Sequence, residues 1–118
     1  MLNTRERRRS PRVASELPLR YRAIPVVQPG YHAASVEDLS LTGVRFRCAD
    51  DVRVRASLLF ELLIPGTQPV HSCGRAAWVR ELPGHDGYEV GGAFENPSTS
   101  VRKALESQLQ RELAPAGH

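Results

Sequence analysis

Apolar and polar residues alternate along most of this chain, and alternation with a period of two is typical of half-buried β-strands. It predicts six strands, over residues 17–23, 32–38, 44–48, 56–64, 70–81 and 88–94. The run 56–64 is apolar enough to be a helix by composition, but its length and the following Pro65-Gly66 favour a buried strand. Pro18, near the start of the first strand, predicts an edge position for that strand.

The last segment of the chain follows a different period. Asn96-Pro97-Ser98 offers capping residues and a proline suited to the first turn of a helix. An apolar residue then recurs at every fourth position, at Val101, Leu105, Leu109 and Leu113. This pattern predicts one amphipathic helix packed on the strands. The predicted fold class is therefore all-β with a C-terminal helix, in the form of a small six-stranded antiparallel β-barrel, with a two-sheet sandwich as the other arrangement of such strands.

The positive charge of the chain is concentrated at its N-terminus. Residues 1–12 contain five Arg and one Glu, a net charge of +4, whereas the whole chain of 118 residues carries +3. A basic arm on a nearly neutral body argues against a uniformly basic nucleic-acid binder. We therefore expect a flexible, basic, ligand-binding arm over residues 1–12, a barrel with its helix over 13–113, and a frayed tail over 114–118.

Composition excludes several other classes of protein. Two cysteines are too few for a disulfide scaffold. No segment approaches the ~20 apolar residues that cross a membrane, and the N-terminus lacks the apolar stretch of a signal peptide, so we expect a cytoplasmic protein without membrane insertion. The four histidines show no metal-binding spacing, and no nucleophile motif or phosphate loop is present. We predict no enzyme activity, no metal and no cofactor.

Two short motifs carry candidate binding chemistry. The first is Arg8-Arg9-Ser10-Pro11-Arg12, whose guanidiniums can fork onto phosphates or onto the O6/N7 edge of guanine. The second is Asp38-Leu39-Ser40-Leu41-Thr42-Gly43, in which a carboxylate and a hydroxyl share one face of an extended backbone and a glycine follows. Alone, the first motif is typical of a solvated tail and the second of an ordinary turn. Together they suit an anionic small molecule that contains guanine.

With these two motifs in this order, the chain resembles the PilZ domain family of bacterial cyclic di-GMP receptors. The family pattern is Arg-x-x-x-Arg before the first strand and Asp/Asn-x-Ser-x-x-Gly about one strand later. Trp78-Val79 and residues 88–94 resemble the closing strands of the family, so the likeness covers about residues 5–113. Arg5 to Arg9 also satisfies the first motif, but the family motif ends directly before the first hydrophobic position, which favours Arg8 and Arg12. Gly92 departs from the family, where a bulkier apolar residue is more usual, and predicts looser packing.

The resemblance implies a receptor that relays the level of cyclic di-GMP to a protein partner as its N-terminal arm becomes ordered. In that role Arg8 and Arg12 would contact guanine and phosphate. Asp38 would accept hydrogen bonds from guanine N1 and N2, Ser40 would bond the ligand, and Gly43 would let the backbone approach it closely.

Arg7 bears on the number of ligands. An arginine directly before the first motif is associated in the family with two stacked cyclic di-GMP molecules, so the resemblance implies two ligands per chain. The alternative function is a nucleotide-independent protein-interaction module on the same barrel, and a third is a small nucleic-acid binder with a basic arm, although we expect no nucleic acid as partner. Four further residues are expected in the core: Cys48, Cys73, Trp78 and Phe94.

Overall fold

The computed structural model describes residues 12–24 and 30–113. Within them the chain forms seven strands and one α-helix: β1 Val13–Ala14, β2 Pro18–Ile24, β3 His32–Leu39, β4 Gly43–Cys48, β5 Ser57–Leu62, β6 Val70–Glu81, β7 Tyr88–Phe94 and α1 Thr99–Leu113. A short 3-10 turn, Pro83–His85, connects β6 with β7. Residues 1–11 of the predicted arm, which include Arg7 and Arg8, and the predicted tail over 114–118 lie outside the described residues.

Strands β2 to β7 close into an antiparallel barrel. The order along the sheet is β3-β2-β5-β6-β7-β4, and β3 also pairs with β4. The short β1 adds to β3 beside β2, with Val13 opposite Leu39 and Ala14 opposite Asp38. Closure leaves none of the six barrel strands as a free edge, which is how small all-β domains avoid pairing with other chains. The predicted six-stranded barrel with a C-terminal helix is confirmed.

The predicted edge position of β2 is wrong. This strand pairs with β3 on one side and with β5 on the other. Pro18 is tolerated because it is the first residue of the strand, where no ladder hydrogen bond needs its missing N–H. Its carbonyl still takes part in the ladder and accepts a hydrogen bond from the amide of Leu63 at 3.1 Å.

The barrel interior is filled by the inward-facing side chains of the strands. Phe46 and Phe60 pack edge to face with ring centroids 6.0 Å apart, and Phe60 and Phe94 do the same at 5.8 Å. Gly92 lies directly beneath this stack, where a Cβ would come within 2.7 Å of Phe60 Cζ. The prediction that Gly92 loosens the packing is therefore wrong, because its missing side chain is the space that the Phe60 ring occupies.

Helix α1 begins as predicted and packs against β1 and β6. The hydroxyl of Ser98 accepts a hydrogen bond from the amide of Val101 at 3.2 Å, which makes Ser98 the N-cap. Leu105 and Leu109 are buried in the core. The predicted apolar stripe is wrong at its last residue, because Leu113 is 63% exposed.

Two of the four residues expected in the core lie on the surface. Cys73 is exposed because its neighbours along β6, at 72 and 74, are the inward-facing positions. Trp78 is 40% exposed. Strand β6 shifts register between Ala76 and Trp78, and this bulge turns the indole to the outer face. Cys48 is buried as expected, and Phe94 packs against the core.

Across residues 12–24 and 30–113, no helix has the length and apolar character needed to cross a membrane.

Candidate functional site

Asp38 lies near the end of β3 on the outer face of the barrel, where neighbouring side chains leave only 8% of it exposed. Strand β3 has a bulge between Val36 and Asp38. Because of this bulge, the two residues after the buried Val36 both direct their carboxylates to arginines on the outer face of the barrel. Arg12 Nη1 donates a hydrogen bond to Asp38 Oδ1 at 2.8 Å. Arg45 Nε donates to Asp38 Oδ2 at 2.7 Å. Each oxygen of Asp38 is therefore held by a guanidinium, one from the basic arm and one from β4.

The fold itself brings Arg12 to this carboxylate. Arg12 directly precedes β1, and the pairing of Ala14 with Asp38 anchors the end of the arm beside β3. The side chain of Arg12 is 48% exposed, so its ion pair with Asp38 contributes only about 0–1 kcal/mol to stability. The contact matters because it places the end of the arm beside Asp38.

Ser40 is buried, and its hydroxyl organises the turn between β3 and β4. Ser40 Oγ accepts hydrogen bonds from the amides of Thr42 at 3.1 Å and Gly43 at 3.2 Å. The amide of Ser40 donates to the carbonyl of Gly43 at 2.9 Å. A serine that bonds backbone groups two and three residues on is a common stabiliser of tight turns. Ser40 thus holds the loop beside Asp38 in shape.

Gly43 is required by a close approach of two strands. A Cβ on Gly43 would lie 2.3 Å from the carbonyl oxygen of Gly92 on β7. The φ angle of Gly43 is not positive, so a left-handed backbone is not the reason for a glycine at this position. The sequence motif therefore marks the place where β4 and β7 come together to close the barrel next to Asp38.

Arg45 continues the polar network across the outer face of the barrel. Besides Asp38 it contacts Glu89 on β7, with 2.9 Å between Arg45 Nη1 and Glu89 Oε2. The other oxygen of Glu89 accepts a hydrogen bond from Arg80 on β6 at 2.5 Å. The chain of contacts Arg12–Asp38–Arg45–Glu89–Arg80 thus spans the arm and strands β3, β4, β7 and β6. Arginines and carboxylates alternate along it.

The pKa values of two glutamates in this network shift in opposite directions. A hydrogen bond with Glu89 raises the pKa of Glu37, and the same hydrogen bond lowers the pKa of Glu89. Glu89 is the more buried of the two, and as the carboxylate it faces both Arg45 and Arg80. These contacts hold the two guanidiniums in place on the barrel surface.

A groove runs along this surface beside β1. It has a volume of about 540 Å³, and its charged lining consists of three arginines and three glutamates: Arg45, Arg47, Arg80, Glu16, Glu37 and Glu89. This volume lies in the range of small-molecule sites in proteins. The groove offers several guanidinium donors next to the Arg12–Asp38 contact, a composition suited to a ligand that carries phosphates.

Trp78 lies in the same row of the sheet as Arg45. Both residues pair with Gly91 of β7, one from each side. A Cβ on Gly91 would come within 2.1 Å of Trp78 Nε1, so the indole lies flat over this glycine. The result is an exposed aromatic surface beside the arginine network. An aromatic ring so placed can stack on a nucleobase.

The structure brings together four of the six predicted site residues, Arg12, Asp38, Ser40 and Gly43. Arg7 and Arg8 lie outside the described residues. The sequence interpretation missed Arg45, Arg80, Glu89 and Trp78. The alternation along β4 predicts that Arg45 faces outward, but nothing in the local sequence predicts its contact with Asp38. Among residues 12–24 and 30–113, no group of three or more His, Cys, Asp or Glu side chains is arranged to hold a metal ion.

The protein is thus a closed six-stranded barrel. The network of arginines and carboxylates lies on its outer face, at the point where the basic arm meets the barrel. The model of the PilZ domain family matches residues 6–111. Because this range includes most of the chain, the protein belongs to the PilZ domain family. No curated protein matches its sequence.

Three solved structures share the fold. The PilZ domain of YcgR from Escherichia coli with c-di-GMP has a TM-score of 0.72 at 16% identity, over 90% of this chain and 91% of that one. The Bacillus subtilis inhibitor of motility (MotI/DgrA) has a TM-score of 0.72 at 15% identity, and this chain, 89% of which is covered, spans 50% of its length. The PilZ domain of CeSA from a cellulose-synthesizing bacterium has a TM-score of 0.59 at 10% identity, over 85% of this chain and 95% of that one.

Proposed function

We propose that this protein is a cyclic di-GMP receptor whose ligand binds where the basic arm meets the β3–β4 turn. The observation that carries the proposal is the contact of Arg12 with Asp38, because it joins the two sequence motifs in space. Membership of the PilZ domain family supports it. So does the likeness in fold to a PilZ domain whose structure was solved with c-di-GMP.

Asp38 is the residue proposed to recognise guanine. A carboxylate offers about four lone pairs, so Asp38 can accept further hydrogen bonds beside those from Arg12 and Arg45. Guanine presents two adjacent donors, N1–H and N2–H, that match a carboxylate, whereas adenine does not present this pair. The arginines on either side neutralise ligand phosphates and offer forked donors to the O6/N7 edge.

The exposed indole of Trp78 is proposed as a stacking surface for one guanine. Its position over Gly91 fixes the plane of the ring beside Arg45. Stacking of a base on an aromatic side chain is worth about 1–3 kcal/mol and tolerates any base. Trp78 would therefore add affinity, while Asp38 supplies the selectivity.

Binding is proposed to reach a protein partner through β1 and α1. Ser15, three residues after Arg12, is buried and donates a hydrogen bond to Glu112 Oε2 at 2.8 Å. Gln108 Nε2 donates to the same oxygen at 2.9 Å. Helix α1 packs against β1 and β6. When the ligand orders the arm, a shift of Arg12 would be passed along β1 to the helix, whose exposed face would contact the partner.

The test of the proposed function is a calorimetric titration with cyclic di-GMP and, separately, with cyclic di-AMP. We expect the unmodified protein to prefer cyclic di-GMP by at least tenfold, and Asp38→Ala to lose most of this preference, because only guanine offers paired donors to the carboxylate. A hydrogen-bonded pairing of this kind discriminates by about 1–3 kcal/mol.

Asp86→Ala is the matched control, because Asp86 is an exposed aspartate outside this network. It should retain the preference. Equal binding of the two nucleotides by the unmodified protein would show that the site recognises phosphate alone. Absence of nucleotide binding would favour the nucleotide-independent interaction module, and binding of any polyanion with a steep salt dependence would favour a nucleic-acid binder.

The proposed stoichiometry is two cyclic di-GMP molecules per chain. A stacked pair carries four phosphate charges, and Arg7 would supply an additional guanidinium to neutralise them. Calorimetry should give a ratio near two for the unmodified protein and near one for Arg7→Leu, with Arg5→Leu as the control that stays near two. A ratio near one for the unmodified protein would contradict the stoichiometry without affecting the receptor proposal.

A further inference from the structure

The barrel has a second concave site at the end opposite Asp38. It lies where β2 ends, β3 begins and β4 ends, about 20 Å along β3 from Asp38 at ~3.3 Å per residue. Its volume is about 530 Å³, and its walls include Tyr21, Ile24, Val52 and Leu58. Cavities of this size that are mainly apolar with a few polar groups are typical ligand sites.

A polar atom without a partner lies at the base of this cavity. Tyr21 is only 3% exposed, and among the described residues its hydroxyl has no hydrogen-bond partner. Buried tyrosine hydroxyls are usually hydrogen-bonded. Burial and the proximity of Cys48 and Asp50 raise the pKa of Tyr21, so the phenol stays neutral and can both donate and accept.

The rim of the cavity is acidic. Asp50 and Asp51 both line it, with Arg53 as the basic residue beside them. Asp50 is exposed and lies 3.1 Å from His32 Nδ1. The groove near Asp38 differs, because its lining balances three arginines with three glutamates.

We propose that this cavity binds a lysine side chain presented by a peptide segment of a partner protein. The methylene stem would pack on Tyr21, Ile24 and Leu58, as long cationic side chains do on apolar surfaces. The ammonium group would donate hydrogen bonds to the Asp50 carboxylate and the Tyr21 hydroxyl. The cavity is several times larger than an aliphatic stem, so it also has room for apolar residues that flank the lysine, which favours a peptide over a free diamine.

The test uses the peptide acetyl-Leu-Lys-Leu-amide and follows the backbone amide resonances of Tyr21, His32 and Asp50 by NMR. We expect saturable shifts, and at least fivefold weaker binding when norleucine or glutamate replaces the lysine of the peptide. Tyr21→Phe and Asp50→Asn should each weaken binding at least fivefold. Both variants should fold, because Tyr21→Phe removes an unpartnered hydroxyl and Asp50 is exposed.

Several results would overturn this proposal. They are the absence of saturable shifts, equal binding of the lysine and norleucine peptides, and unchanged affinity in both variants. Tighter binding of 1,5-diaminopentane than of the peptide would exclude a peptide as the occupant. Because the cavity is remote from Asp38, Tyr21→Phe should retain full cyclic di-GMP binding, and Arg12→Ala should retain full peptide binding. Failure of this proposal is thus distinguishable from failure of the proposed function.

Discussion

Gly43→Val should lower the melting temperature by roughly 10 °C or more, as expected for a loss of at least about 3 kcal/mol from an overpacked strand contact. A Cβ at this position would lie 2.3 Å from the carbonyl oxygen of Gly92. That oxygen belongs to the backbone and cannot rotate away, so β4 and β7 would have to separate. Thermal unfolding followed by circular dichroism measures the effect. Cyclic di-GMP binding should fall as well, because the same strand contact holds the turn beside Asp38.

The control compares alanine at two glycines. Gly66 has a φ of +81°, but a Cβ there would have no atom within 4 Å. Gly66→Ala should therefore cost only the strain of a left-handed backbone, about 1–2 kcal/mol. Gly43→Ala should cost more despite its ordinary φ. Equal destabilisation by the two alanine substitutions would contradict the role assigned to the strand contact at Gly43.

Arg12→Ala should weaken cyclic di-GMP binding at least tenfold, because it removes a forked guanidinium contact worth about 1–3 kcal/mol. The melting temperature should change by only about 2 °C, since the ion pair with Asp38 is half exposed on the arginine side and contributes about 0–1 kcal/mol. Calorimetric titration and thermal unfolding of the same preparation separate these two effects. A loss of affinity without a loss of stability is the signature of a residue that contacts the ligand.

Arg102→Ala is the matched control, since it removes the same charge from an exposed position on α1. It should leave the affinity unchanged. An equal loss in Arg102→Ala would attribute the effect to net charge, and an unaltered affinity in Arg12→Ala would refute the site. Arg5→Ala should have a small effect that disappears at high salt. A larger effect at Arg5 than at Arg12 would show that the motif alignment in the arm is wrong.

Period-two alternation was sufficient to predict every barrel strand, whereas the choice of a barrel over a sandwich came from the resemblance to the PilZ domain family. The one strong ambiguity, the apolar run 56–64, was resolved correctly because Pro65-Gly66 ends it after a strand length. The helix was predicted because its apolar residues follow a different period. The position of each strand within the sheet was harder to predict from the sequence. Pro18 suggested an edge, yet β2 lies between β3 and β5. A closed barrel has no free edge, and closure is not visible in one strand.

The surface positions of individual residues were predicted less well, and bulges are the main reason. A bulge shifts the alternation by one residue, so the face of every later residue in that strand changes. In β6 this placed Trp78 outside the barrel. In β3 it brought Glu37 and Asp38 to the same arginine, Arg45. Neither bulge leaves a mark in the local sequence.

The sequence by itself determined the strands, the helix, the basic arm and the two motifs that contain Arg12 and Asp38. These features are local, since periodicity, capping residues and motif spacing all act within a few residues along the chain. Only the tertiary structure decided that Arg12 meets Asp38 and that Arg45, Glu89 and Trp78 join them. Such contacts depend on which strands pair and in which register. The network therefore forms only once closure of the barrel has set β3, β4, β7 and β6 side by side.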